Sequence, residues 1–243
     1  GQIVAGDQLV AFLPVTSTDS YTLYYTSAAP TLIGLDAHAV TAPGVQTLTV
    51  TSANPLVLFN LDISLEWDAR YDEQFLSQLE FDLLRTSELL YDWTNGQAAL
   101  GQVTVYHNRG NWLDAHIRIY ATNRMRPSAV LGGIVTEVIT DPLESDIIYA
   151  PGQVWMGAVW NRYGESSGSL GEDWPRTLAH ELGHYVFFLD DDYLGLDEDG
   201  LLIPVDTCTG TAMSDPYGDD YSEFHPDDGW LPGCEPTLSH QST

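Results

Sequence analysis

The chain has 243 residues, 44% of them hydrophobic and 11% aromatic, so it is long and apolar enough to fold around a substantial core. It carries 35 acidic and eight basic residues, and the formal net charge of −27 argues against nucleic acid and anionic membranes as partners. No apolar run approaches the roughly 20 residues of a membrane span, so no membrane insertion is expected in this segment.

Residues 1–60 carry few charges and are broken repeatedly by Pro and Gly. Three runs within them, residues 21–25, 45–50 and 56–59, have the Thr, Val, Leu and Tyr content that is typical of β-strands. We predict a small all-β module at residues 1–60, followed by an enzyme domain at residues 61–243. The alternative is that residues 1–60 extend the sheet of that domain.

The next segment predicts a sheet with one long helix. A first strand is expected at residues 64–69, and the helix runs from Asp72 to about Thr94, where Asn95 and Gly96 end it. The buried side of this helix is expected to contain Leu76, Leu79, Leu83 and Leu90. Further strands are predicted at residues 102–107, 115–121, 128–135 and 154–160. This order indicates an α/β (α+β) fold.

Residues 176–189 are predicted to form a second helix. Asp173 can cap its start, and Pro175 is tolerated in the first turn. Gly183 costs roughly 1 kcal/mol relative to Ala inside a helix, so we expect a closely packed neighbour there. The buried side contains apolar residues at helical spacing, namely Leu178, Leu182, Val186 and Leu189.

This second helix carries a candidate catalytic zinc site. His180 and His184 lie one turn apart on the same helical face, so both imidazoles can reach one ion. Glu181 is rotated by about 100° from His180, where it can hold a metal-bound water without being a ligand. Such a site favours hydrolysis with Glu181 as the general base. The alternative is a core helix with two incidental histidines.

A third zinc ligand is expected soon after the helix, where three aspartates follow one another at residues 190–192. If the helix continued, Asp191 would lie about 10 Å along the axis from His184, too far to share an ion. The chain must therefore turn back near Phe188 or Leu189. This reasoning leaves open which aspartate, Asp190 or Asp191, reaches the metal.

Other residues are assigned more ordinary roles. Cys208 and Cys234 are the two cysteines; they form a disulfide if the protein is secreted and are buried thiols otherwise. Asp197, Asp199 and the acidic run at residues 215–220 could bind Ca²⁺, although a solvated acidic loop is the simpler interpretation. We place four histidines outside the metal site: His107, His116, His225 and His240. We expect neighbouring acids to pair with a basic cluster, Arg109, Arg118, Arg124 and Arg126.

The segment from His180 to Tyr193 resembles the zinc-binding motif of the metzincin clan of zinc proteases. It resembles more closely that of the protease domain of the calcium-activated chloride channel regulator family. That family's pattern is HExxH-xxx-G-xx-D-E-Y, and the zinc-site residues of this chain fall on its His, Glu and Asp positions. The resemblance favours Asp191 as the third ligand, followed by Asp192 and Tyr193, and Phe188 occupies the glycine position. It covers residues 176–224, and the remainder only by the order of elements.

The resemblance implies a metzincin-like domain with a mixed sheet, a cleft between sheet and helix, and Met213 in a turn beneath the zinc. An extended peptide could pair with a strand on the cleft rim, for which residues 132–133 and 154–160 are candidates. Tyr217 or Tyr221 could assist at the oxyanion. The implied function is a secreted or cell-surface zinc endopeptidase, which could process its own longer chain. The alternatives are an inactive zinc-containing adhesion module and a Ca²⁺-loaded surface protein.

Overall fold

A computed structural model describes residues 3–31, 34–122, 124–141, 147–162, 172–217, 223–224 and 232–238. The helices in these ranges are α1 (Glu73–Trp93), α2 (Asp173–Phe187) and a short 3₁₀ helix at Pro232–Cys234. The strands are β1 (Gln8–Leu9), β2 (Phe12–Ser17), β3 (Tyr21–Thr26), β4 (Ala29–Thr31), β5 (Gly34–Asp36), β6 (His38–Ala39), β7 (Thr51–Leu65), β8 (Ala98–Tyr106), β9 (Ile117–Tyr120), β10 (Ser128–Ala129), β11 (Ile139–Thr140), β12 (Ile147–Tyr149), β13 (Val154–Gly157), β14 (Leu194–Leu196) and β15 (Leu202–Pro204).

Seven strands form one mixed sheet. Its spatial order is β10–β13–β9–β7–β3–β2, and β8 pairs with the opposite side of β7. The strands β8, β7, β9 and β13 run parallel, whereas β10 is antiparallel to β13 and β3 is antiparallel to β7. The predicted α+β class with a mixed sheet is therefore confirmed, and β10 forms one edge of the sheet.

The long strand β7 crosses the predicted domain boundary at residues 60 and 61. Its first half pairs with β3, its second half pairs with β9, and β8 follows it from Val57 to Ser64. Backbone hydrogen bonding is therefore continuous from the N-terminal strands into the rest of the sheet. The division into two domains stays a prediction, and this continuity favours the alternative in which residues 1–60 extend the sheet.

The two helices pack against each other and cover the sheet, α1 over β8 and α2 over β10 and β13. A single core cluster joins residues from both helices with residues from the inner strands, among them Ile63, Ile117, Met156, Leu90 and Leu182. Each of these five side chains is almost completely buried. Within the described residues, neither helix combines the length and the apolar content that crossing a bilayer requires.

Helix α1 agrees closely with its prediction. The carboxylate of Asp72 accepts a hydrogen bond from the backbone N–H of Phe75 at 3.0 Å, which caps the first turn. Asn95 and Gly96 both take positive φ directly after the helix and end it there. Leu79 and Leu90 are buried as expected, whereas Leu76 and Leu83 are half-buried at the edge of the core.

Several strand predictions were wrong in extent. Residues 45–50 form no strand, and the strand expected at residues 64–69 is the end of the much longer β7. The strand expected at residues 128–135 is limited to β10, because the chain turns at Gly132, where φ is 62°. Val135 and its neighbours have the composition of a strand, but the chain there closes turns against α2 instead of continuing the ladder.

Candidate metal centre

Helix α2 begins earlier than predicted and presents four polar side chains to a cleft, those of Thr177, His180, Glu181 and His184. Asp173 is its first residue and not its N-cap; the cap position belongs to Glu172, whose side chain makes no capping hydrogen bond. His180 and Glu181 are 6% and 7% exposed, which is rare for such groups unless they are paired or bind a ligand. The imidazole rings of His180 and His184 lie 4.8 Å apart between centroids.

The chain reverses at Phe188, as the spacing of the aspartates required. Phe188 follows the helix with φ 61° and ψ 27°, a left-handed conformation that glycine usually supplies. In a bulky residue this conformation costs on the order of 1–3 kcal/mol. The Phe188 ring packs over Gly132, where a Cβ atom would lie 2.4 Å from it, and edge-on to Tyr149 at 4.7 Å. The aromatic packing offsets the strain, so the reversal forms without the family's glycine.

The reversal brings Asp191, and not Asp190, to the two histidines. Oδ1 of Asp191 lies 3.3 Å from Nε2 of His180 and 3.2 Å from Nε2 of His184. Among the described residues, these three are the one group of His, Cys, Asp or Glu side chains placed to share an ion. Two ligand atoms of a tetrahedral zinc with bonds of about 2.1 Å are about 3.4 Å apart, so the spacing fits zinc.

The hydrogen bonds of the two imidazoles test whether a cation fits this group. Nδ1 of His180 lies 2.9 Å from the carbonyl oxygen of Ala212, and Nδ1 of His184 lies 2.5 Å from that of Leu189. A carbonyl can only accept, so both Nδ1 atoms carry hydrogen and both neutral rings direct Nε2 lone pairs at Asp191. Oδ1 of Asp191 is buried and lacks a hydrogen-bond donor among the described residues. Three facing acceptors require a positive charge between them.

The pKa shifts of these groups express the same requirement. Burial would raise the pKa of Asp191, but the two imidazoles and the Tyr193 hydroxyl hold it well below its usual range. Burial would lower the pKa of His184, but the Asp191 carboxylate raises it overall. Both shifts show that this pocket favours a positive charge beside the Asp191 carboxylate.

A turn at residues 211–214 lies beneath the histidines and is anchored by a buried acid. Asp192 is fully buried; its carboxylate accepts from the Thr211 hydroxyl at 2.7 Å, and its N–H donates to the Met213 carbonyl. A Cβ atom on Gly183 would lie 2.8 Å from Sδ of Met213. The close neighbours expected at Gly183 are therefore Met213 and, at the same distance, Phe224. The anchoring role of Asp192 was not predicted.

The three candidate ligands and Glu181 line one cleft of about 930 Å³. Burial raises the pKa of Glu181, and the nearby imidazoles oppose that shift. The hydroxyl of Tyr193 also lines this cleft and donates a hydrogen bond to Asp191. Sequence reasoning aligned Tyr193 with the family but gave it no role, because only the folded chain brings its hydroxyl to the ligand.

Of the residues predicted for the rim, Trp160 lines the cleft, and the other segments lie elsewhere. Residues 154–157 form the interior strand β13, which is paired on both sides, and residues 132–133 pack against the end of α2. The rim strand is β10, whose Ser128 and Ala129 line the cleft and whose outer edge pairs with no described strand. An unpaired sheet edge leaves backbone groups available to an extended peptide.

Tyr217 reaches the cleft, but its hydroxyl is engaged. Thr177 donates its own hydroxyl hydrogen to the Asp173 carbonyl at 2.6 Å, so in the 2.9 Å contact between Thr177 and Tyr217 the tyrosine is the donor. Tyr217 also accepts from Nε1 of Trp160 at 2.9 Å. This oxyanion candidate is therefore held against the cleft wall, and the other, Tyr221, lies outside the described residues.

The remaining candidates are placed away from the metal group. Nδ1 of His116 accepts from the backbone N–H of Asp62 at 2.9 Å, and His107 lies at the end of the sheet. His225, His240 and residues 218–220 lie outside the described residues. Oδ1 of Asp197 accepts hydrogen bonds from the N–H groups of Asp199 and Leu201, so this acidic segment forms a turn.

The two cysteines and the basic cluster have definite partners. Cys208 and Cys234 form a disulfide, as predicted for a secreted chain, and pack with Val205. The expectation for the arginines was wrong in part. Arg109 pairs with Glu66, but Arg118 donates to the backbone carbonyl of Trp112, and Arg126 lines the cleft. Arg109 and Arg118 both lie over the Trp112 ring, but of the two only Arg109 has a carboxylate partner among the described residues.

No protein-family model matches the chain, and no curated protein matches it either. The likeness of residues 176–224 to a protease family therefore stays a prediction from the motif. The case for a function depends on the geometry of the three acceptor atoms, Glu181 and the cleft that contains them.

Proposed function

We propose that the chain is a zinc-dependent endopeptidase that acts at the cleft between α2 and β10. One observation carries the proposal: Nε2 of His180, Nε2 of His184 and Oδ1 of Asp191 converge closely enough to share one ion, beside a buried carboxylate. A structural zinc site needs four protein ligands, whereas a catalytic site keeps one position for water or substrate. Three ligands beside an open cleft support the catalytic kind.

Zinc and Glu181 have separate roles in the proposed hydrolysis. Zinc, when bound, supplies a Lewis acid and lowers the pKa of its water to about 7. Glu181 accepts the proton of the attacking water and then delivers it to the nitrogen of the departing amine. Its carboxylate makes no hydrogen bond to another described residue, so both oxygens are available for that transfer. The raised pKa of Glu181 brings it nearer to neutral pH, as a proton carrier requires.

Other residues hold the reacting groups in place. The Leu189 and Ala212 carbonyls fix the imidazole tautomers, and the hydrogen bond from Tyr193 fixes the Asp191 carboxylate. The outer edge of β10, which pairs with no described strand, offers backbone hydrogen bonds to an extended peptide. The disulfide supports a secreted or cell-surface location.

Glu181→Gln tests the proposal. The amide keeps the volume of the carboxylate but cannot take a proton, so we expect zinc content to be unchanged and peptide cleavage to fall by about 10²–10⁴-fold. Cleavage would be followed by mass spectrometry of a broad peptide library, with the wild type and the variant loaded with zinc. Equal cleavage by both proteins would contradict the role of Glu181. A wild type that binds zinc but cleaves no peptide would leave the zinc-containing adhesion module as the function.

A further inference from the structure

Positive charge is scarce in this protein, and part of it lies in the cleft. The chain has eight basic residues against 35 acidic ones. Two of the basic residues, Arg126 and Arg162, line the same cleft as Glu181 and the candidate zinc ligands. A net charge of −27 repels an acidic peptide over most of the surface, so a cation beside the reaction site has a large influence on which peptides bind.

The two cleft arginines differ in how they are held. Nε of Arg162 lies 3.5 Å from Oδ1 of Asp173, and its guanidinium stacks over the Tyr217 ring at 4.7 Å. Arg126 is exposed, and no carboxylate of the described residues lies within 4.0 Å of its guanidinium. Arg126 therefore presents its guanidinium to the cleft as a binding group.

Arg126 also stands at the right place to contact a substrate. It comes two residues before Ser128, the start of the edge strand that would pair with an extended peptide. It lines the same cleft as Glu181 and Tyr193, so a substrate held in that cleft is within reach of its guanidinium. A peptide paired with β10 would lie in the cleft that both Arg126 and Glu181 line.

We infer that Arg126 is a specificity residue that binds a carboxylate of the substrate, so the enzyme prefers peptides with an acidic side chain near the cleaved bond. This inference rests on the proposed peptidase function and names its substrate class. A guanidinium presents paired N–H donors that match the two oxygens of a carboxylate. For an interaction partly exposed to water, we expect a preference of roughly two- to fivefold for Glu over Gln.

The test compares matched peptides and matched variants. A peptide that the wild type cleaves is remade with Glu or Gln at each position within three residues of the cleaved bond. We expect a lower KM for Glu at one of these positions, with kcat little changed. Arg126→Gln should remove that preference, and Arg126→Lys should keep part of it. Arg124→Gln is the control, because Arg124 is exposed, has the same charge and does not line the cleft.

A binding measurement separates the failure of this inference from the failure of the proposed function. Fluorescent Glu and Gln peptides are titrated with Glu181→Gln protein and with the Glu181→Gln/Arg126→Gln double variant, neither of which needs to turn over. The inference is supported if the Glu181→Gln protein binds the Glu peptide more tightly than the Gln peptide and the double variant does not. This holds even if the wild type cleaves nothing. Three results would overturn it. The Glu181→Gln protein could bind both peptides equally, the preference for Glu could survive in the variants that carry Arg126→Gln, or Arg126→Gln could lower kcat equally on all peptides. The last result would instead make Arg126 a residue that positions Glu181.

Discussion

The two helices of this protein differ in how much of their surface is buried. Six of the 21 residues of α1 are buried, so it covers the sheet with one face and shows the other to water. Twelve of the 15 residues of α2 are buried, because it lies between the sheet, α1 and the turn that contains Met213. A helix enclosed in this way has no solvent face on which to place polar groups. The polar residues of α2 therefore need partners or a function.

Both helices contain buried acids, and the contrast between Asp82 of α1 and Glu181 of α2 identifies the functional one. In α1, Oδ1 of Asp82 accepts a hydrogen bond from Nε2 of Gln78 at 2.9 Å, within the same helix. In α2, Glu181 has no such partner among the described residues and faces the cleft. Burial raises the pKa of both acids. A perturbed pKa alone does not mark a site; the open cleft and converging ligands beside Glu181 do.

The largest expected effect is at a ligand in α2. Losing a residue that only supports a metal ligand lowers metal affinity by up to about 100-fold. His184→Ala removes one of the three ligand atoms themselves, so we expect zinc affinity to fall by more than that. Cleavage should disappear with the metal. The control is His38→Ala, because His38 is exposed and bonds only to Gln46 among the described residues. Zinc titration by calorimetry measures both, and unchanged affinity in the first variant would remove His184 from the site.

The next effect concerns the segment that encloses α2. The disulfide closes a loop of 26 residues that includes Met213 and Phe224, both packed against Gly183. The double variant Cys208→Ser/Cys234→Ser should lose about 3 kcal/mol of unfolding free energy in urea. Its zinc affinity should also fall, because the turn at residues 211–214 fixes His180. A stability loss without any change in zinc affinity would show that the loop does not support the site.

A smaller effect is expected from one methyl group inside α2. In Gly183→Ala the new Cβ would lie 2.8 Å from both Met213 and Phe224, so we expect a loss of about 1–3 kcal/mol despite the better helix propensity of Ala. On α1, Glu80→Ala changes an exposed residue and should stay within about 0.5 kcal/mol of the wild type. Urea denaturation measures the unfolding free energy of both variants. Equal losses would contradict the conclusion that α2 is more tightly enclosed than α1.

The smallest effect is a pH dependence that originates in α1. Burial raises the pKa of Asp82 from an ordinary 3.8 to about 6, so the folded state holds this proton more tightly than the unfolded state. The contribution of Asp82 to the free energy of unfolding is therefore fully present below pH 4 and is lost as pH rises from about 4 to 6. Asp82→Asn should remove that fall and gain about 1–2 kcal/mol at pH 7, after allowance for residual solvent. Identical pH dependence of unfolding in both proteins would contradict it.

The sequence predicted those features that depend on local spacing. Helix α1 and its end at Asn95 and Gly96 follow from leucine periodicity and turn residues. The convergence of His180 and His184 follows from one helical turn, and the reversal near Phe188 follows from the reach needed by an aspartate. Each inference needed only residues that are close in the chain.

Features that depend on tertiary packing were predicted poorly. The shared strand β7 was divided at residue 60, because charge content changes there while hydrogen bonding does not. Phe188 in a left-handed conformation is understandable only beside Gly132 and Tyr149, which are distant in sequence. The choice of Asp191 over Asp190 required the family pattern, since spacing alone allows both. The buried contact between Asp192 and Thr211 had no signal in the sequence.

Crystals of the zinc-loaded protein, measured on both sides of the zinc absorption edge, would test the central claim most directly. We predict one anomalous peak per chain, about 2.0–2.2 Å from Nε2 of His180, Nε2 of His184 and Oδ1 of Asp191, with Glu181 outside bonding distance. The absence of a peak in the cleft, or a peak bound by Asp190 or by the Glu181 carboxylate, would contradict the account.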